Sequence, residues 1–214
     1  LLRGRVSHEK GVGWVSISLN GEGRFWESVA GKVEVPFELP LTLSEGENIV
    51  GLLPAHDYKR AYVGDLGENT GGMGSYAPVP FMTPNLVEKA IDTIIEPTLS
   101  TMRKEGFPFQ GCLYAGLMNT EDGLKLIEFN CRFGDPETQA ILPLMKSDLL
   151  GLLVGASTPG GLAGYKGVEW YPQKCVCVVL TSRGYPGKYE TGYEITGLNE
   201  ALDSVSGRIV FHAG

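Results

Sequence analysis

Leu126-Ile127-Glu128-Phe129-Asn130-Cys131-Arg132-Phe133 decides how this chain is read. Apolar and polar residues alternate through it with the period of a half-buried β-strand. Ile127, Phe129, Cys131 and Phe133 are therefore expected on one face, and Glu128, Asn130 and Arg132 on the other. The first set reads as core and the second as a site. Same-face neighbours lie roughly 7 Å apart along a strand, close enough for a carboxylate and an amide oxygen to hold Mg²⁺ between nucleotide phosphates. Arg132, one step further, can take a phosphate oxygen through its planar fork. Alternation alone is met equally well by an exposed sheet face.

Working outward, residues 111–118 form a second apolar run, joined to 124–133 by Asn119-Thr120-Glu121-Asp122-Gly123, which has hairpin-turn composition. Antiparallel pairing is the economical reading. Upstream, the pattern predicts a helix over 84–105. Thr83 caps it, Pro84 suits its first turn, and Val87, Ala90, Ile91, Ile94 and Ile95 form its apolar face. Pro97 should kink it and Gly106 should stop it. Downstream, Asp135-Pro136-Glu137 has the cap, proline and acidic first turn of another helix, with apolar residues continuing through Leu144 to Leu153. Further strands are expected over 47–53, 174–180 and 207–212, with weak hairpins between Val6 and Pro40.

At 214 residues and 43% hydrophobic content the chain can bury a sizeable core, which excludes wholesale disorder. Its formal charge of −7 offers no diffuse basic surface, so neither nucleic acid nor membrane is expected as a partner. The longest apolar stretch, near Leu149 to Val154, is far shorter than the ~20 residues of a bilayer span. A cytoplasmic, soluble protein is expected. Cys112, Cys131, Cys175 and Cys177 lie in apolar runs without C-x-x-C spacing and read as reduced core residues. The 30 glycines, about twice the usual ~7%, direct attention to glycine-rich loops.

One such loop is Asn69-Thr70-Gly71-Gly72-Met73-Gly74, which can present successive backbone N–H groups to an anion. Nearby, Asp57, Lys59 and Arg60 invite a phosphate or an amine. Each feature has a plainer reading, as an ordinary turn and a solvated charge cluster. Their order along the chain adds weight to the functional one.

Taken together, these residues resemble a known family. Arg132-Phe133-Gly134-Asp135-Pro136-Glu137-Thr138-Gln139 is similar to the signature of glycinamide ribonucleotide synthetase, or phosphoribosylamine-glycine ligase, an ATP-grasp enzyme family of purine biosynthesis. The segments 54–60, 69–74, 109–118, 145–149 and 207–214 resemble that family in the same order. The resemblance implies an α+β chain holding the C-terminal half of an ATP-grasp domain, an antiparallel sheet with helices, and the start of a small β-rich C-terminal domain. The implied division is 1–43, unmatched; 44–156, the metal-bearing half; and 157–214, part of the C-terminal domain.

The implied reaction joins glycine to 5-phosphoribosylamine at the expense of ATP. Glycine's carboxylate is phosphorylated, the ribosyl amine attacks the acyl phosphate, and ADP and phosphate leave. By resemblance Glu128 and Asn130 are metal ligands for Mg²⁺ or Mn²⁺, and Arg132 is the catalytic arginine directed at the phosphates. Asp57, Lys59, Arg60, Gly71, Gly72, Met73, Asp135 and Glu137 form the substrate-side walls. The implied partners are ATP, glycine and 5-phosphoribosylamine.

The chain departs from the family pattern in places. His56 and Tyr58 replace the usual glutamine and histidine, and Glu68 stands where proline is common. Residues 6–40 read as an insertion or as intron-derived sequence, and the chain, which starts at Leu1, reads as a fragment. Neither the N-terminal domain for phosphoribosylamine nor the nucleotide-holding lysines of the small ATP-grasp domain is recognisable. The expectation is a ligase fragment inactive by itself. The alternative is a naturally truncated, catalytically silent chain that acts only by binding.

Overall fold

The structure is a computed structural model that describes residues 35–44, 48–203 and 206–213. Strands β1 (Val35–Ser44), β2 (Asn48–Gly51), β3 (His56–Asp57), β4 (Arg60–Tyr62), β5 (Leu66–Asn69) and β6 (Gly74–Ala77) come first. Helix α1 (Pro84–Ala90) then passes through a π-helical turn (Ile91–Ile95) into α2 (Glu96–Lys104), and strands β7 (Gly111–Thr120) and β8 (Gly123–Asn130) follow. Helices α3 (Thr138–Ile141) and α4 (Leu149–Ala156), strand β9 (Cys175–Val178) and helix α5 (Leu198–Asp203) complete the order. Two compact units divide after Val179.

The expected hairpin is present. β7 and β8 pair antiparallel from Tyr114↔Asn130 to Thr120↔Gly123, with Glu121 and Asp122 at the tip. Gly123 takes a φ of 98°, which a residue with a Cβ resists. The hairpin is one edge of a four-stranded antiparallel sheet, β2-β1-β7-β8. The register slips once: Gly116 faces Glu128 while Leu117 faces Leu126, leaving Ile127 as the extra residue of a β-bulge. The bulge corrects the simple alternation. Phe129 still packs against the core, but Leu124 does so too, and Ile127, expected inside, is exposed.

The helix packs on that sheet as its pattern requires. Thr83 accepts from the Leu86 N–H at 3.3 Å and Pro84 fills the first turn. Ala90 and Ile95 are buried against Leu113, Ala115 and Leu117, with Val87, Ile91 and Ile94 beside them. The kink assigned to Pro97 appears as the π turn just before it, where the Glu96 N–H reaches back to the Ile91 carbonyl. Gly106, with a φ of 86°, ends the helix, and the Phe107 N–H bonds the Met102 carbonyl in a Schellman closure.

A second core gathers Val50, Leu52, Ala55, Ala77, Ala140, Ile141, Leu144, Leu152, Ala156 and Leu162 around the three-stranded sheet β3-β6-β9. The single helix expected from Asp135 to Leu153 is instead two. Pro143 lies in a 3-10 turn after α3, and Asp148 restarts the helix by accepting the N–H groups of Leu150 and Gly151. Between them, 144–147 is tied to 169–171 by the Lys146 N–H to Glu169 carbonyl and Tyr171 N–H to Leu144 carbonyl bonds.

Other expectations are revised too. β1 pairs with β7 from Val35↔Asn119 to Leu43↔Gly111, so the end of the stretch read as unmatched is a sheet strand. The hairpins expected earlier in that stretch fall outside the described residues up to 34. The first compact unit ends at Val179 and includes β9, which pairs with β6. In the second unit the described residues include α5 but no strand at 207–212, which finds no pairing partner among them. The four cysteines are free, yet Cys131 is exposed and the others are half-buried, so none is a full core residue.

Candidate functional site

The bulge and the end of β8 aim Glu128 and Asn130 onto one solvent-facing side of the sheet. The Asn130 side-chain amide donates to Glu128 Oε1 at 3.0 Å. Gly116 lies opposite, and a Cβ there would come within 3.3 Å of Glu128 Cγ, so glycine leaves the carboxylate its room. Carboxylate and amide oxygens are hard donors of the kind that bind Mg²⁺ or Mn²⁺. No cluster of three or more His, Cys, Asp or Glu that could hold a metal occurs among the described residues. Glu128 and Asn130 could supply at most two ligands to such an ion, the others coming from outside the chain's side chains. Binding requires Asn130 to turn its oxygen, not its nitrogen, toward the ion. Arg132 follows just beyond the strand, bonds the Phe133 carbonyl at 2.9 Å and stands 5.9 Å from the Tyr114 ring centre.

A second cluster forms where β3, the glycine-rich loop and the turn before α3 converge. Lys59 pairs with Asp57 Oδ2 and lies 3.9 Å from Glu137 Oε1. Both carboxylates are buried, whereas the Lys59 side chain is 41% exposed. Asp57 Oδ1 and Glu137 Oε2 accept no hydrogen bond. Burial, and next to it the nearby Glu137, push the Asp57 carboxyl up to about 6 against the pull of Lys59. His56, packed 4.5 Å from Tyr58 ring to ring and within 3.1 Å of the Tyr76 hydroxyl, is held neutral by burial, its pKa lowered to about 4.

Several backbone donors of the loop are engaged within the chain. The Thr70 N–H bonds the Lys59 carbonyl at 2.7 Å, Gly72 N–H the Thr70 hydroxyl at 3.0 Å, and Met73 N–H the Tyr58 carbonyl at 2.8 Å. The Thr70 and Met73 donors fasten the loop to the Tyr58–Lys59 segment, and the Gly72 donor is spent within the loop. Gly72 is required for closeness: its φ is 133°, and a Cβ would stand 2.9 Å from Asp57 Oδ1 and collide with Pro136. Ser75 completes the junction by donating to the Pro136 carbonyl at 2.9 Å.

Of the residues singled out by sequence, Asp57, Lys59, Gly72 and Glu137 meet in this cluster. Arg60 does not: it donates to the Gly67 carbonyl at 2.6 Å inside the β4-β5 hairpin. Asp135 is exposed and accepts from Gln139 at 2.7 Å. Met73 contributes through its backbone, its N–H bonding the Tyr58 carbonyl, and Gly71 lies in the same loop.

Tyr114 was missed. It is buried, its hydroxyl donates to Glu137 Oε1 at 3.5 Å, and its strand position faces Asn130, so it links the two clusters. Its place in an apolar run hid it. The one sequence signal was its even position between Leu113 and Ala115, on the face opposite the core.

A family model of the phosphoribosylglycinamide synthetase ATP-grasp (A) domain matches residues 31–138, and so includes residues 31–40 of the stretch read as an insertion. A phosphoribosylamine-glycine ligase of Streptomyces coelicolor is 48% identical over 173 residues, covering 80% of this chain and 41% of that protein. The trifunctional purine biosynthetic protein adenosine-3 of Gallus gallus is 48% identical over 174 residues, 81% of this chain and 17% of that protein. The crystal structure of a phosphoribosylamine-glycine ligase from Thermotoga maritima superposes with a TM-score of 0.65 at 36% identity, covering 78% of this chain and 41% of that one. The chain thus spans about two fifths of the length of these ligases.

Proposed function

The chain belongs to the phosphoribosylglycinamide synthetase ATP-grasp family, and from that premise we propose that it forms the metal- and substrate-bearing part of an ATP-dependent ligase. The reaction joins glycine to 5-phosphoribosylamine and yields glycinamide ribonucleotide, ADP and phosphate. The observation that carries this reading is the adjacency of Glu128 and Asn130, 3.0 Å apart, at the head of the segment that also bears Arg132 and Glu137.

Phosphoryl transfer depends on positioning and on fixed charge at the developing anion more than on covalent help from the protein. Glu128 and Asn130 would hold Mg²⁺ or Mn²⁺, which neutralises charge on the phosphate oxygens when bound. Arg132 would direct its guanidinium at the transferring phosphoryl or the acyl phosphate, and it stands 5.9 Å from the Tyr114 ring centre. The cluster of Asp57, Lys59 and Glu137 orients the carboxylate-bearing substrate. The co-substrate ATP and the substrates glycine and 5-phosphoribosylamine belong to this proposal, as does the β-rich C-terminal domain, whose strand at 207–212 would pair with residues beyond those described.

The test is a product assay with ATP, glycine and 5-phosphoribosylamine. It is run on the 214-residue chain and on the same chain joined to the portion of a relative that it does not cover. Product from the joined protein, abolished by Glu128→Ala, is the expected result. A folded joined protein that makes no product overturns the reading.

A further inference from the structure

Among the described residues, Tyr114 is the one buried apolar side chain that belongs to neither hydrophobic core. Its neighbours Leu113 and Ala115 do belong, because they point to the helix side of β7. Tyr114 points the other way and is enclosed by the site instead. It pairs across the strand with Asn130, its ring centre lies 5.9 Å from the Arg132 guanidinium, and its hydroxyl donates to Glu137 Oε1 at 3.5 Å. Two glycines clear its flanks. A Cβ on Gly134 would come within 2.9 Å of the ring and strike the Glu137 carboxylate, while one on Gly116 would lie 3.7 Å from the ring and 3.3 Å from Glu128 Cγ. Packing alone asks for neither a cation over the ring nor a carboxylate at its tip.

We propose that Tyr114 is a positioning residue that fastens Arg132 to Glu137, so that the phosphate-directed guanidinium and the substrate-side carboxylate keep a fixed spacing. The proposal rests on the ligase reading and adds to it the side chain that sets this spacing. Arg132 is exposed and bonds the Phe133 carbonyl at 2.9 Å, so its reach depends on what its guanidinium lies against. The two contacts of the tyrosine reinforce each other. A phenol that donates its proton to a carboxylate gains electron density, and its ring face then attracts a cation more strongly. A hydrogen bond of 3.5 Å is long, which leaves it room to tighten when substrate binds. Phenylalanine would keep the platform and lose the tether; leucine would lose both.

Steady-state kinetics of the joined ligase separate the two contacts. Tyr114→Phe should raise the glycine KM about tenfold and lower kcat far less, since only the tether on Glu137 is lost. Tyr114→Leu should show the same rise in KM and a kcat lower by a further factor of about ten, as Arg132 loses its platform. The KM for ATP should hardly move in either. Equal losses in all three constants in both variants, the mark of a merely structural tyrosine, overturn the proposal.

The 214-residue chain supplies a readout without turnover. The Arg132 Nε–H proton resonance is followed in the parent, in Tyr114→Phe and in Tyr114→Leu, each with and without Glu137→Gln. Ring current should displace it in the tyrosine and phenylalanine chains and leave it undisplaced with leucine. Glu137→Gln should move it further in the tyrosine chain than in the phenylalanine chain, and that difference measures the coupling. An Arg132 resonance indifferent to the ring, or a Glu137→Gln effect of equal size with tyrosine and phenylalanine, overturns the proposal as well. If Tyr114→Leu does not fold, the phenylalanine cycle decides. Coupling in the resonances without product from the joined protein sinks the ligase reading and leaves the Tyr114 link standing; product without coupling does the reverse.

Discussion

Asn130 donates its side-chain amide to the Glu128 carboxylate across 3.0 Å, on a strand whose register is broken at Ile127. The pairing shows that the two side chains reach the same point in space, which a bare i, i+2 spacing along a strand leaves open. The bulge beside them raises local twist, and Gly116 across the ladder keeps the carboxylate clear.

Replacing Glu128 or Asn130 by alanine should therefore leave the fold intact, since neither side chain supports the core. In the joined ligase each change should lower turnover by about 100-fold or more and raise the Mg²⁺ concentration needed for half-maximal rate. Steady-state assays across a Mg²⁺ series check this. Near-normal Mg²⁺ dependence in both variants would remove the metal assignment.

Arg132→Lys keeps the charge and loses the planar fork. The expected loss in turnover is ~100-fold, with the substrate KM values changed far less, because the contact strengthens only as charge develops. A lysine variant that turns over like the parent would sink the assignment.

Gly72→Ala should destabilise the chain by about 2 kcal/mol or more, since the new Cβ meets Pro136 and Asp57 in a backbone conformation of φ 133°. Chemical denaturation measures the effect. Gly71→Ala serves as the comparison within the same loop, and equal costs would show that the close approach at Gly72 is not what matters.

Asp57 and His56 are chain neighbours whose pKa values move in opposite senses. Asp57 is raised from 3.8 to about 6, so the folded chain binds more protons than the unfolded one in that window, and stability falls as pH rises through it. His56 is lowered from 6.5 to about 4, so the unfolded chain binds more protons, and stability rises with pH. Between pH 4 and 6 the two effects act in opposite senses. Asp57→Asn should expose the histidine term and make the chain markedly less stable at pH 4.5 than at pH 6.5, whereas His56→Gln should reverse the slope. Denaturation midpoints at the two pH values decide it; unchanged slopes in both variants would contradict the burial of these groups.

Much of this was legible in the sequence because it depends on local rules. Thr83, Pro84 and Gly106 mark the helix ends through caps and backbone conformations that act within one turn. The 119–123 turn, with Gly123 at positive φ, closes the hairpin in the same way. The motif order from Asp57 to Glu137 was enough to place the chain in its family, and the family model begins only at residue 31.

What the sequence could not show depends on residues distant along the chain. Alternation placed Ile127 in the core, but a bulge is a property of two paired strands, visible only once Gly116 and Glu128 are in register. Arg60 sits one residue from Lys59, yet strand pairing turns it toward Gly67 while Lys59 enters the acid cluster. Tyr114 reads as one apolar residue among several until the turn before α3 brings Glu137 to its hydroxyl. The sequence alone determined the local elements and the family, because caps, turns and motif order are short-range properties. Tertiary structure decided which charges share a site, because the pairing of Asp57, Lys59 and Glu137 joins segments nearly eighty residues apart, and only long-range packing brings them together.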